Sequence, residues 1–309
     1  MTTILYSHPI CIEHDMGAGH PESPDRLRAV MEALNADAFN GLDRREAPMA
    51  AREQIARVHP GDYVDRIMAA VPESGRVQLD PDTSLCPASG EAGLRASGAV
   101  CAAVDAVMAG EANNAFCAIR PPGHHAEPGR PMGFCFFNHV AVGALQARAV
   151  HGLTRVAVVD FDVHHGNGTQ AMFWDDENLF FGSSHQSPFY PGSGGAAERG
   201  VAGNIVNAPL AAGAGSREFR EAWEGIILPG LIEFDPEFLL ISAGFDAHEA
   251  DPLASLRLTE DDYVWVTRKL MKVADDHCKG RLVSTLEGGY DLRALARSVA
   301  VHVKTLMQA

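Results

Sequence analysis

Short apolar runs rich in β-branched and aromatic residues recur along the chain, each followed by a polar turn and a stretch with helical spacing. The clearest runs cover residues 115–119, 155–160, 178–183, 238–243 and 281–287. They are almost continuously hydrophobic, as strands covered on both faces are. Helical spacing predicts helices over 91–108, 138–151, 216–233, 259–279 and 292–307. Ser216 followed by Glu218, and Thr259 followed by Asp261 and Asp262, place a cap and early acids at two helix starts. Such alternation implies parallel strands joined by right-handed helical crossovers. No repeat, low-complexity tract or Pro/Gly/Ser-rich linker divides the chain. The expectation is one domain over residues 1–309, a three-layer α/β/α fold with a mostly parallel central sheet.

Composition narrows the class. An apolar fraction of 46% is enough to fill a core of this kind. Lys and Arg number 25 against 40 Asp and Glu, and the resulting −15 is a poor footprint for nucleic acid. That field favours cationic partners or metal ions. The six cysteines (Cys11, Cys86, Cys101, Cys117, Cys135, Cys278) are scattered without a CxxC pair, which argues against a zinc finger, a redox dithiol and a disulfide framework. The start lacks the basic and apolar regions of a secretory signal, and no run of eighteen apolar residues occurs. A soluble cytoplasmic protein with no membrane partner is expected, and a homo-oligomer is left open.

In open parallel sheets the chemistry sits beyond the carboxyl ends of the strands. Four of the apolar runs lead straight into groups of unusual residues: Arg120-Pro-Pro-Gly-His-His-Ala126, Asp160-Phe-Asp-Val-His-His-Gly-Asn-Gly168, Gly244-Phe-Asp246 and Glu287-Gly-Gly-Tyr290. Asp160, Asp162 and His164 alternate, so extended backbone projects them from one side. With Asp246 they offer an Asp₂His set and one open position, the pattern of a catalytic zinc. Taken alone, Asp162 and His164 would read as caps of a helix near Asn167. His124-His125 reads as an acid/base pair, a second metal site or a tight turn after Pro122-Gly123. Tyr290 reads either as a hydroxyl donor to an oxyanion or as a packed core aromatic. Phosphate-loop, HExxH and GxSxG motifs are missing, and Gly192-Ser-Gly-Gly195 is given a turn or lid role.

The segments RPPGHHA, GFCFFN, VDFDVHHGNGTQ, SAGFDAHEADPL and LEGGYDL resemble the histone deacetylase superfamily, in its class II and bacterial deacetylase-like branch. They run in that family's order from His20-Pro-Glu-Ser-Pro-Asp-Arg26 to Tyr290. The resemblance implies an arginase-like architecture, with Asp162, His164 and Asp246 as zinc ligands and His124 and His125 as the tandem catalytic histidines. His125 is implied as general base and then acid, and His124 as a largely cationic partner oriented by Asp160. Asn167 stands where class I relatives carry Asp, so it should raise the basicity of His125 less. Tyr290 matches the transition-state tyrosine. Backbone around Asp160, Asp162 and His164, with Ser183 and Ser184, resembles a potassium site. Phe134 and Tyr190 resemble the aromatic walls of an acyl-lysine channel, with Gly133 and Gly289 beside it, Leu253 a gate position and Arg26 an arginine of the product channel.

The function implied is a zinc-dependent deacetylase acting on an acetylated lysine side chain of a protein or on a small acylated amine. An acetylpolyamine amidohydrolase is the nearest alternative, weakened because Leu253 stands where polyamine-selective members place Glu. An arginase-type ureohydrolase would need two metals bridged by several Asp and His residues, whereas Asp162-Val-His164 is read here as a single ligand pair. A catalytically silent acyl-lysine binding protein would need neither His125 nor Tyr290.

Overall fold

The computed structural model describes residues 2–308. Ten strands form: β1 (Thr3–Ser7), β2 (Asp43–Glu46), β3 (Val77–Gln78), β4 (Ser84–Leu85), β5 (Asn114–Cys117), β6 (Val156–Asp160), β7 (Leu179–Gln186), β8 (Ile205–Leu210), β9 (Phe238–Ala243) and β10 (Leu282–Leu286). Eight of them make one sheet in the order β2-β1-β5-β10-β9-β6-β7-β8, parallel at every pairing. β3 and β4 pair antiparallel as a separate small ribbon.

The central strands are buried on both faces because their side chains alternate between two cores. Val156 and Val158 of β6 and Phe238 and Leu240 of β9 enter the core under helices Ser89–Met108 and His139–His151. Ala157 and Val159, with Leu239, Ile241 and Ala243, enter the opposite core under helices Glu260–His277 and Leu292–Leu306. Period-two alternation of apolar residues on a doubly covered sheet thus builds three layers. All six cysteines are buried free thiols, and no helix among the described residues is long and apolar enough to cross a membrane.

Several expectations need correcting. β1, β2 and β8 were not among the predicted strands. β2 reads Asp-Arg-Arg-Glu and lies at one edge, where half its side chains meet solvent and no apolar run is needed. β8 lies at the other edge and carries Pro209, tolerated where a ladder hydrogen bond is dispensable. The predicted helix 216–233 is three pieces: Ser216–Ala222, a π-helical turn Trp223–Ile227 and Leu228–Phe234. Pro229 has no N–H and crowds the carbonyl four residues back, so the hydrogen-bond register slips there. Helix Pro24–Leu34 was also unforeseen, whereas a short helix, Asn167–Phe173, does start at Asn167. At Glu260–His277 the Thr259 hydroxyl and N–H both reach Asp262 Oδ2, at 3.4 and 3.1 Å, so the cap lies where the spacing put it.

The strand order places β5, β10, β9 and β6 side by side. Their carboxyl ends bring together the four loops in which the unusual residues collect.

Candidate metal centre and active site

Asp160 ends β6, and the loop after it turns Asp162 and His164 toward Asp246, which follows β9. One ligand atom from each of Asp162, His164 and Asp246 lies within 4.8 Å of the others, and all three residues are buried. His164 Nδ1 sits 3.1 Å from Asp162 Oδ1 and 3.2 Å from Asp246 Oδ2. Backbone holds the carboxylates: Val163 N–H donates to Asp246 Oδ1 at 2.8 Å and Gly288 N–H to Asp162 Oδ2 at 2.8 Å. Gly288 must be glycine for a steric reason, since a Cβ there would lie 2.0 Å from Asp246 Oδ2 and 2.5 Å from Asp162 Oδ2. Asp246 Oδ2 is buried and receives no hydrogen bond. Two buried carboxylates against one imidazole nitrogen, one oxygen lacking a donor, fit a divalent cation with N and O ligands such as zinc.

Beside this set, His124 and His125 pack ring to ring at 4.0 Å. His124 Nδ1 is 2.8 Å from Asp160 Oδ2, and His125 Nδ1 is 2.8 Å from Asn167 Oδ1. Burial opposes charge on His124, but Asp160 and Asp162 overcome it and push its pKa up to about 10. Burial lowers His125 well below the ordinary value, and the positive charge of His124 lowers it further. The pair is therefore split into one cation and one neutral base, as acid/base chemistry at neutral pH requires.

Tyr290 follows β10, and its N–H donates to Asp251 Oδ2 at 2.7 Å. Its ring lies between the edge of Phe134, 6.0 Å away, and the Arg26 guanidinium at 4.9 Å. Burial holds the phenol far above its usual pKa, so the hydroxyl keeps its proton. Arg26 is buried behind it, donating to Gly289 O at 2.6 Å and Glu287 O at 2.5 Å and pairing with Glu22 at 2.9 Å. Phe134 adopts φ 68°, a left-handed conformation uncommon for a bulky residue. Its N–H donates to Thr83 Oγ1 at 3.0 Å, while that of Gly133 donates to Asp82 Oδ1 at 3.1 Å.

Tyr190 stands edge-on to His125 at 5.2 Å and to His164 at 6.1 Å. Leu253 is about a third exposed, with its N–H on Asp251 Oδ1. Ser183 is the register partner of Asp160. Its hydroxyl lies 2.9 Å from His185 Nδ1, and that of Ser184 accepts from Trp223 Nε1 at 3.0 Å. The glycine-rich 192–195 segment is a turn pinned to His165 through Ser193 and to His185 through Gly194 O.

Among the residues to which the sequence assigned no role, four stand out here. Phe189 stacks on His164 at 5.2 Å. Glu287, pushed up to about 7 by burial, accepts from the N–H of Gly123 and of His124 at 2.7 and 3.2 Å. Asp251 ties Tyr290 to Leu253, and Glu22 holds Arg26 and Arg120. An acid closing the apolar run 281–287 was the visible sign of Glu287. Glu22 and Asp251 offered no comparable sign.

An open parallel sheet presenting an acid–histidine–acid set, a split histidine pair and a buried tyrosine at neighbouring strand ends defines a candidate hydrolase centre. The histone deacetylase domain family model matches residues 20–306, and the chain belongs to that family. It is 41% identical over 284 residues to the histone deacetylase-like amidohydrolase of Pseudomonas aeruginosa, covering 90% of this chain and 74% of that one. It is 38% identical over 324 residues to the chloroplastic histone deacetylase 14 of Arabidopsis thaliana, covering 98% and 76%. The crystal structure of the HDA15 HD domain superposes with a TM-score of 0.94 at 33% identity, covering 99% of this chain and 90% of that one. Fold class and family thus agree with the reading of the motifs.

Proposed function

We propose that the protein is a zinc-dependent amide hydrolase that removes acetyl groups from Nε-acetyl-lysine side chains or from related linear acylated amines. The observation that carries this reading is the split histidine pair lying against the buried Asp162–His164–Asp246 set. Held there, zinc would polarise the substrate carbonyl and acidify a water.

The chain's own residues do the rest. His125, neutral and bonded through Nδ1 to Asn167, takes the proton of the attacking water at Nε2 and then delivers it to the leaving amine. His124 stays cationic against Asp160 and stabilises the charge that develops. The Tyr290 phenol, proton retained, donates to the oxyanion. Phe134 and Tyr190 wall the approach for an apolar butyl chain, and Gly133 and Gly289 leave it room. Arg26 lines the way out for acetate. Asp160, Ser183 and Ser184, with the backbone of Asp162 and His164, would hold potassium. Leu253 offers no charge to a distant ammonium, which favours lysine side chains over polyamines. We take the whole chain as one catalytic domain and place it in the cytoplasm, where buried free thiols stay reduced.

The test is kcat/KM of the zinc-loaded protein on an acetyl-lysine peptide beside N-acetylputrescine. Preference for the peptide is expected, and preference for the polyamine would overturn the role given to Leu253. Turnover of neither would overturn the enzyme and favour a silent binder. Tyr290→Phe should keep its metal and lose about 10²–10³ in kcat; near-normal turnover would remove Tyr290 from the reaction.

A further inference from the structure

Asn167 is held between a histidine and an acid. Its Oδ1 lies 2.8 Å from His125 Nδ1, and its Nδ2 donates to Glu127 Oε1 at 2.9 Å. An ionised carboxylate only accepts hydrogen bonds, so Glu127 requires the N–H side of the amide. The carbonyl oxygen then faces His125 and accepts from Nδ1–H. An imidazole protonated at Nδ1 carries its lone pair at Nε2. We propose that Glu127 is a positioning residue: by fixing which way the Asn167 amide points, it selects the His125 tautomer that leaves Nε2 free as the base. The inference rests on the reading of His125 as general base.

Two further acceptors face Asn167 Nδ2, Met132 Sδ at 3.2 Å and His125 O at 3.4 Å. The first is a weak sulfur acceptor and the second is long, so the carboxylate is the dominant lock. Arg130, largely exposed, lies 3.4 Å from Glu127 Oε2 and holds the acid in place. Backbone hydrogen bonds between residues 127 and 130, at 3.0 and 3.4 Å, close this turn without the Glu127 side chain. Removing that side chain therefore unlocks the amide while leaving the loop formed.

An aspartate at 167 would need no lock, because both its oxygens accept. It would also stand against Glu127 as a like charge. The two backgrounds must then respond to loss of Glu127 with opposite signs.

The experiment uses zinc-loaded protein labelled with ¹⁵N-histidine, His125 being assigned by its loss in His125→Ala. In the wild type His125 is expected wholly as the Nδ1–H tautomer. In Glu127→Ala the Nε2–H form should appear and kcat should fall about tenfold, at the low end for partners of active-site groups. In Asn167→Asp the same Glu127→Ala change should raise kcat several-fold. An unchanged tautomer with unchanged turnover in Glu127→Ala overturns the proposal. So does an equal loss in both backgrounds, which would make Glu127 merely structural. Full turnover in His125→Ala would instead sink the general-base reading, and the tautomer measurement would still decide what Glu127 does.

Discussion

His302 and His124 are both buried and both engaged through Nδ1, yet they are held in opposite charge states. His302 lies under the sheet with Nδ1 2.7 Å from Thr267 Oγ1 and Nε2 2.9 Å from Ser284 Oγ. The Thr267 hydroxyl donates to Tyr263 O, so it accepts from Nδ1–H, and Ser284 donates to Nε2. Both partners are neutral, and burial alone pushes the pKa of His302 down to about 3. His124, equally enclosed, faces Asp160 and is pushed up to about 10. Depth therefore does not set the charge state of a buried histidine; the charge of its partner does. Within the site His125 takes the neutral kind of partner, an amide, and shares the uncharged state of His302.

The comparison breaks most completely at the anionic set. Asp246→Ala should lose bound zinc to background by elemental analysis after dialysis, and turnover with it. Full occupancy would remove Asp246 from the ligand set. Asp160→Asn gives His124 a neutral partner like that of His302. Its pKa, followed by NMR, should move down from about 10, and turnover should fall by about 10²–10⁴. A pKa that stays put would assign the charge to Asp162 instead.

The smallest effect lies on the structural side. His302 binds its proton more weakly folded than unfolded, with a pKa of about 3 against 6.5. The unfolded chain holds more protons between those values, so stability rises with pH across that window and is fully present above it. The same sign holds for His59, at about 4, and His139, at about 3. Each adds a slope of about 1.4 kcal/mol per pH unit. His302→Gln should flatten the rise of urea-measured stability with pH between about pH 4 and 6 by about that amount, cost about 1–3 kcal/mol at pH 7 and leave kcat unchanged. An unaltered slope would mean that His302 is already protonated in the folded protein.

What could be read along the chain follows the same division. The central strands were visible because both faces are apolar, and the site loops because His, Asp and Tyr cluster directly after those strands. β2 and β8 were hidden because edge strands need no continuous hydrophobic run. Glu22, Glu127 and Asp251 were hidden for another reason. Each is an ordinary acid until the fold supplies its partner: Arg120 for Glu22, Asn167 for Glu127 and the Tyr290 N–H for Asp251. Periodicity reports burial and composition reports charge, but neither reports which distant groups meet.

The position of β10 has a consequence for how the protein is made. This strand fills the gap between β5 and β9, yet it follows both in the chain. During synthesis the sheet stays split until residues 282–286 emerge, and Tyr290 arrives with the strand that closes it. Until then β5 and β9 each leave an unpaired, largely apolar edge open to any other strand, including those of a neighbouring nascent copy. Contacts so distant in sequence also form slowly. Closure of the sheet and arrival of Tyr290 beside the Asp162–His164–Asp246 set are thus expected to coincide.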